Sequence, residues 1–464
     1  MRTILAMATG LALGLSAAAQ AAPAPDGLKA TAAALRDKAL AGDSVAYPVV
    51  ESLTTEVGPR LAGTIQAKRA TDWAVAKLKA LGFQDVHLEP FAITAWIRGE
   101  ESGEVIAPYP QKLALTALGG SVPTPPEGIE AEIVVFPTYA ALLAAPMGSL
   151  TGKIAVVTQP MARLQDGAGY GYANPVRRAG ASEAARRGAV AYLHRSLSTA
   201  DTRLPHAGAM NYQADAPKIP AAALSTPDAE LLARMAGRGQ PVRVKLVLRP
   251  TEAPAQAWNV IGDIPGGEKP DEVVLIGAHL DSWDLGTGAI DDGAGVGIVT
   301  GAAKLVADLP RRPRRTVRVV LFGSEEMDNS SVAFAAAHQG EAGHYVIASE
   351  ADFGTDRVLQ IQVPPGAADS PYARTLAELL APMKVILNRE PALRSGDDLA
   401  RIRDVPFLSL RQDGTRYFDI HHSADDTFDK VDKVQLDQAV AAYATAVYLA
   451  ADSDVDFRAM AAKP

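Results

Sequence analysis

Cysteine is absent from all 464 residues, and histidine occurs only 8 times. Without thiols no disulfide can cross-link the chain, no lipid can be attached through an N-terminal cysteine, and a thiolate-built structural zinc site is excluded. Stability must then come from core burial and metal binding. A basic footprint is missing too: 45 Lys and Arg against 53 Asp and Glu leave a net charge of -8, which argues against nucleic acid as a partner. The one dense cationic run, Arg311-Arg312-Pro313-Arg314-Arg315, reads as a solvated turn between a helix and a strand. Long apolar runs are lacking as well. The N-terminal stretch from Ile4 to about Leu15 is too short to span a bilayer comfortably, so no membrane anchor is expected.

That stretch instead has the parts of a secretory signal. Met1-Arg2-Thr3 supplies the charged region, and the small residues ending in Ala19-Gln20-Ala21 supply the cleavage site. Residues 1–21 are therefore expected to be removed near Ala21, leaving a protein that is secreted or periplasmic. A single arginine does not make a twin-Arg signal.

What remains is a globular chain with 48% hydrophobic content, enough for two or three compact units. From Asp26 to about Ile106 helical periodicity dominates. Within it, residues 67–81 place Ala70, Trp73, Ala74, Leu78 and Leu81 on one face, and Gly82 closes the helix. The Pro-rich break at 123–128 then opens a stretch of short strands: Ile133 to Phe136, Ile154 to Val157, Ala191 to Leu193 and Val242 to Leu248. The pattern is of one unit, residues 22–122 and 252–464, interrupted by an insert at 123–251. Beyond it, apolar strands at Val273 to Ile276, Val317 to Phe322 and Tyr345 to Ala348 flank a helix from Gly293 to about Leu309, stopped by Pro310. Such continuous runs suit strands buried on both faces of an α/β sheet.

Each of these strands ends just before a string of metal-binding side chains: His279-Leu-Asp281 with Asp291-Asp292, Glu325-Glu326, and Glu350-Ala-Asp352. A further string, His421-His422-Ser-Ala-Asp-Asp-Thr427, adds imidazole. In open α/β sheets ligands gather beyond the carboxyl ends of strands, so these strings can meet in space. Carboxylate plus imidazole is the donor set of a hydrolytic zinc centre. His279 offers a neutral imidazole, and Asp281 can fix its tautomer by accepting the other ring N–H. Asp291 can bridge two ions about 3.5 to 4 Å apart. Glu326 and Asp352 then serve one ion each, and one histidine of the His421/His422 pair completes the set; chemistry alone leaves that pair open. Glu325 is free to act as general base toward an activated water.

These strings, together with Val57-Gly-Pro-Arg-Leu61, residues 96–102, Thr124-Pro-Pro-Glu-Gly128, Gly152-Lys-Ile154 and Pro217-Lys-Ile-Pro220, resemble the M28 family of di-zinc exopeptidases, in its carboxypeptidase Q branch. The resemblance covers nearly the whole mature chain. It implies two Zn2+ per chain held by His279, Asp291, Glu326, Asp352 and, by alignment of the motif, His422, with Glu325 as base. It also implies a mixed-sheet α/β zinc-exopeptidase core (phosphorylase/hydrolase-like) with an inserted β-rich protease-associated domain, often a homodimer. Its substrates would be dipeptides or short peptides, cleaved from the amino or the carboxyl end. A cis bond at Asp291-Asp292 is implied as well.

The sequence departs from the family after Glu326, where Met327-Asp-Asn-Ser-Ser331 replaces the usual Gln or Asn and glycines. Ser395-Gly396-Asp397-Asp398 resembles the family's substrate loop without showing which acid matters. Trp283 suits either a pocket wall or a core gap, and Tyr417 and Phe418 are candidates for the wall. His87, His194, His206, His338 and His344 read as surface or packing residues. Two other classes share parts of the pattern: a single-zinc acyltransferase of the glutaminyl cyclase type, and a non-catalytic binding protein on a peptidase scaffold. The first is disfavoured by a resemblance that runs through the insert, the second by a complete ligand set.

Overall fold

The computed structural model of the chain describes residues 26–461, so the signal segment at 1–21 and its cleavage site lie outside the described residues. At its centre is a five-stranded mixed sheet built from β1 (Gln84–Ile97), β2 (Thr251–Ile264), β3 (Lys269–His279), β4 (Arg315–Phe322) and β5 (Tyr345–Glu350), in the order β1-β2-β4-β3-β5. The last three are mutually parallel, with His279 opposite Phe322 and Gly277 opposite Glu350. Their carboxyl ends, and the metal-binding strings that follow, are thus brought to one edge.

Alternation along β3 explains why its sequence reads as an unbroken apolar run. Val274 and Ile276 enter the larger core on one face, while Val273 and Leu275 enter the smaller core on the other. Each such side chain contributes roughly 1.5 to 3 kcal/mol when fully buried. Helices Asp26–Leu40, Ala46–Glu56, Ile65–Ala80, Ala294–Ala307 and Lys433–Asp452 belong to the larger core, and Ser330–His338 covers the opposite face through Phe334. In Ile65–Ala80 the stripe Ala70, Ala74 and Leu78 is buried, and Thr64 caps the start by accepting the N–H of Ala67 at 3.1 Å.

A second, eight-stranded mixed sheet runs from Glu101 to Leu248. Its first strands, Glu101–Ala107, Gln111–Leu113 and Leu115–Ala117, lie ahead of the proline-rich break, which here only connects Leu115–Ala117 to Ile129–Phe136. The sheet therefore reaches back beyond residue 123. Three helices, Tyr139–Ala144, Ala168–Arg186 and Thr226–Ala236, accompany it, so this part is α/β in composition where the sequence suggests strands alone. The helical reading of residues 26 to 106 likewise holds only to Ala80, because β1 and Glu101–Ala107 follow.

The cationic run is the turn between the helix Ala294–Ala307 and β4, with Arg311 and Arg312 exposed, but its last member is not solvated. Arg315 is buried and donates to Glu272 and to the carbonyls of Ala450, Ser453 and Val455, and Arg311 pairs with Asp452. Among the described residues no helix is long and apolar enough to cross a membrane.

Candidate metal centre

At the carboxyl edge of β3, β4 and β5, five side chains from four separate strings converge. His279 Nε2 lies 3.0 Å from Asp291 Oδ1 and 3.6 Å from Asp352 Oδ1. His422 Nε2 lies 3.2 Å from Asp291 Oδ2 and 3.1 Å from Glu326 Oε2. Asp291 thus turns one carboxylate oxygen to each histidine, and its Oδ2 is buried without a hydrogen-bond donor. Donors 2.0 to 2.2 Å from a tetrahedral ion stand about 3.3 to 3.6 Å apart; one of these separations reaches that range and three are slightly shorter, and His279, Asp291 and Glu326 on one side and Asp291, His421 and His422 on the other bring their donor atoms within 4.8 Å of one another, close enough to hold an ion.

His421 is the more remote of the histidine pair. Its Nε2 is 3.6 Å from Asp291 Oδ2, and its ring stacks on His422 at 3.5 Å between Tyr170, Tyr417 and Phe418. His422 adopts a left-handed backbone with φ 61°, uncommon for a residue with a side chain, which turns its ring toward Glu326. Its Nδ1 faces the carbonyl of Ala207 at 3.2 Å, leaving Nε2 for the cluster.

Asp281 stands behind His279, but in a different way from the expected carboxylate pairing. His279 Nδ1 approaches the Asp281 carbonyl at 3.1 Å and its carboxylate only at 3.5 Å. The carboxylate accepts the N–H groups of Glu325 at 3.0 Å and Glu326 at 3.4 Å, so it anchors the loop that presents both glutamates.

Several residues that the sequence shows only as members of these strings, or of the resemblance, have supporting roles. Asp292 is buried and accepts the N–H groups of His279 and Gly295, and the Asp291-Asp292 peptide is cis, as the resemblance implies. Asp426 accepts the N–H groups of Ile290 and Asp291, orienting the shared carboxylate. Arg60, fully buried, donates to the carbonyls of Leu280, Thr287 and Gly288 and clamps the loop between the ligands. Glu350 takes three backbone N–H groups of residues 397–399, a cap that closes tightly because Gly396 (φ 63°) has no Cβ to strike its carboxylate. The signal for Asp426 lay in the His421 to Thr427 string. Arg60 was visible only as part of the Val57 to Leu61 resemblance.

The electrostatics are those of crowded carboxylates. Burial first, then Asp352, Glu326 and Asp398, opposed by His279, hold the Glu325 carboxyl well above its ordinary value. Burial would depress His422, yet Glu326 and Asp291 bring it up to about 9. Burial would raise Asp291, but His279 and His422 hold it well below the usual carboxylate range.

The cluster opens into a cleft of about 740 Å³ lined by Glu325, Asp352, Phe353, Tyr417, Phe418 and His421, and on its far wall by Tyr170, Asn174 and Arg177 of the helix Ala168–Arg186. Tyr417 and Phe418 are wall residues. Trp283 is not: it is buried, edge-on to Trp96 at 6.4 Å, in the core of the second sheet. His338 bridges Glu89 and Glu341, and His206 supports the histidine pair by pairing Nδ1 with the His421 carbonyl at 2.6 Å.

Comparison with known proteins identifies the family. The sequence pattern of peptidase family M28 matches residues 259–447. Carboxypeptidase Q of Bos taurus is 38% identical over 412 residues, covering 88% of this chain and 85% of the relative. The crystal structure of a peptidase M28 precursor from Shewanella amazonensis superposes with a TM-score of 0.90 at 44% identity, covering 93% of this chain and 98% of that one. A zinc aminopeptidase from Bacillus subtilis, at 21% identity and TM-score 0.63 over 88% of this chain and 95% of that one, shares the fold. With relatives aligned along most of their length and of its own, the chain belongs to peptidase family M28.

Proposed function

We propose that the protein is a secreted di-zinc exopeptidase that hydrolyses dipeptides or short peptides. His279, Asp291 and Asp352 would hold one ion, and Asp291, Glu326 and His422 the other. The observation that carries this reading is the split of the Asp291 carboxylate between two histidines, 3.0 Å to one and 3.2 Å to the other. When bound, the ions would polarise the scissile carbonyl and lower the pKa of the attacking water. Glu325, at the cleft wall and outside both triads, would take the proton of that water and return it to the leaving amine. Asp281 would position Glu325 and Glu326 through their backbone. The second sheet, residues 101–248, is read as a protease-associated-like insert that roofs the cleft with the helix Ala168–Arg186.

The test is zinc content together with hydrolysis of a dipeptide panel. Two ions per chain are expected. Glu325→Gln should retain both and lose turnover by about 100- to 10,000-fold, the usual worth of a general base. One zinc per chain, or equal turnover in parent and variant, defeats the proposal.

A further inference from the structure

Arg177 is an anomaly of charge. It is 2% exposed, its Nε is buried without an acceptor, and among the described residues no Asp or Glu pairs with it. The other two arginines buried as deeply are satisfied on several sides, Arg60 by loop carbonyls and Arg315 by Glu272 and three carbonyls, whereas Arg195, a little more exposed and outside the cleft lining, has only the Ser198 carbonyl at 3.5 Å. The neighbouring Arg178 pairs with Asp328 at 2.6 Å. An unpaired buried cation is destabilising, and a fold retains one where a ligand supplies the missing anion.

The surroundings say which anion. Arg177 lines the cleft that holds the metal-binding cluster, and its guanidinium lies 5.2 Å from the ring of Tyr170, which in turn packs edge-on against His421 at 5.1 Å. Asn174, one turn earlier on the same helix face, also lines the cleft and has a buried side-chain oxygen without a partner. Because amide orientation is assigned and not observed, that end of Asn174 can equally present its NH2. Tyr170, Asn174 and Arg177 therefore form a polar stripe one aromatic ring away from the histidine pair. Consecutive Cα atoms of a peptide are about 3.8 Å apart, so the carboxyl end of a short peptide held by a carbonyl at the cluster can run along the cleft toward this stripe.

We infer that Arg177, assisted by Asn174, is a carboxylate subsite that takes the free C-terminal carboxylate of a short peptide. The inference rests on the peptidase reading and sharpens it, because it makes the carboxyl end of the substrate an anchor. The guanidinium bonds the Tyr170 hydroxyl and keeps its Nε without an acceptor, and its planar fork suits a carboxylate in a way that an ammonium in the same place does not reproduce. The same chemistry could be offered by an acidic side chain, so the test separates the two sources.

Binding is measured by calorimetry in zinc-loaded Glu325→Gln, where the peptides survive the titration, with and without Arg177→Met or Arg177→Lys. The probes are Ala-Ala, Ala-Ala amide and Ala-Glu amide. Ala-Ala should bind about 10- to 100-fold tighter than its amide, the scale of charge-assisted hydrogen bonds. In Arg177→Met the free dipeptide should fall to the level of the amide, and Arg177→Lys should recover only part of the gap. Equal affinities for acid and amide overturn the inference, as does a gap that survives Arg177→Met. Affinity restored by Ala-Glu amide, with Ala-Ala no tighter than its amide, moves the subsite to a side-chain carboxylate and overturns the C-terminal assignment. Melting temperature gives a second readout: Arg177→Met should equal or exceed its background, whereas a structural arginine would show a fall. Tight binding of Ala-Ala that the catalytically intact protein fails to cleave would defeat the peptidase reading alone.

Discussion

On the proposed reading Asp281 acts on the metal centre through other residues, and its substitution separates positioning from ligation. Its carboxylate holds the N–H groups of Glu325 and Glu326, while its carbonyl meets His279. In Asp281→Asn one of the two acceptor oxygens becomes an NH2 donor facing the N–H it had accepted, so the loop must shift although none of the five candidate ligands is removed. Zinc affinity or turnover should fall by about 10- to 100-fold, the usual cost of losing such support. Competition with a chromophoric chelator measures the first and dipeptide hydrolysis the second; unchanged values in both would remove Asp281 from the site. At this scale the sequence was most legible for side chains that follow strands directly. His279, Asp291, Glu326, Asp352 and His422 do meet, because three parallel strands end at one edge. Arg60 and Arg177 were not legible: what distinguishes them is the presence or absence of carbonyl partners hundreds of residues or a whole sheet away, which no local pattern records.

Elements with strong periodicity were readable in the chain, and elements set by tertiary contact were not. The strands Ile154–Val157, β3, β4 and β5 fall where continuous apolar runs place them. The helix Ala168–Arg186 contains Gly169, Gly171, Gly180 and Pro175, a composition of poor helix propensity, and its stability comes from packing of residues such as Val176, Ala181 and Ala184 into the core of the second sheet. The helix Ala294–Ala307, which starts just beyond the metal-binding loop, depends on glycine for another reason. A Cβ at Gly297 would stand 2.7 Å from Val50 and 3.0 Å from the carbonyl of Ala46, so the helix Ala46–Glu56 can lie close only while that position stays bare. Gly297→Val should destabilise the fold by about 1 to 3 kcal/mol through overpacking, read by urea unfolding. A loss below about 0.5 kcal/mol would mean that the two helices are not closely apposed.

Across the whole molecule the candidate metal-binding cluster concentrates buried acids that outnumber the cations set among them, Arg60 and the His279 and His422 imidazoles, and this governs how stability responds to pH once metal is stripped by a chelator. His422 is raised to about 9, by Glu326 and Asp291 against the pull of burial. Asp426 is raised to about 7, by burial and then by Asp291, and burial likewise pushes up Asp292, Glu325, Glu350 and Asp398. All of these bind a proton more tightly in the folded chain than in the unfolded one. The stabilisation from protonated His422 is complete below its unfolded value near 6.5 and is lost as pH rises through 9. The raised carboxyls add a penalty that starts above their unfolded values near 4 and is complete, for Asp426, beyond about 7. Asp291, held low, works in the opposite sense, but its contribution changes only below pH 4. Burial holds His194, His206 and His421 low, so they work in the opposite sense below about 6.5, and the chelated protein should therefore melt at progressively lower temperature as pH rises from about 7 to about 9. Zinc should reverse the trend, because it binds the deprotonated ligands and its affinity climbs over the same window. At a free zinc concentration a thousandfold above the dissociation constant, each site adds about 4 kcal/mol. Scanning calorimetry at several pH values, with chelator and with zinc, checks both slopes. A metal-free protein whose melting temperature held level or rose toward pH 9 would show that these carboxyls and His422 are not packed together as described, and the two triads would lose their basis with them.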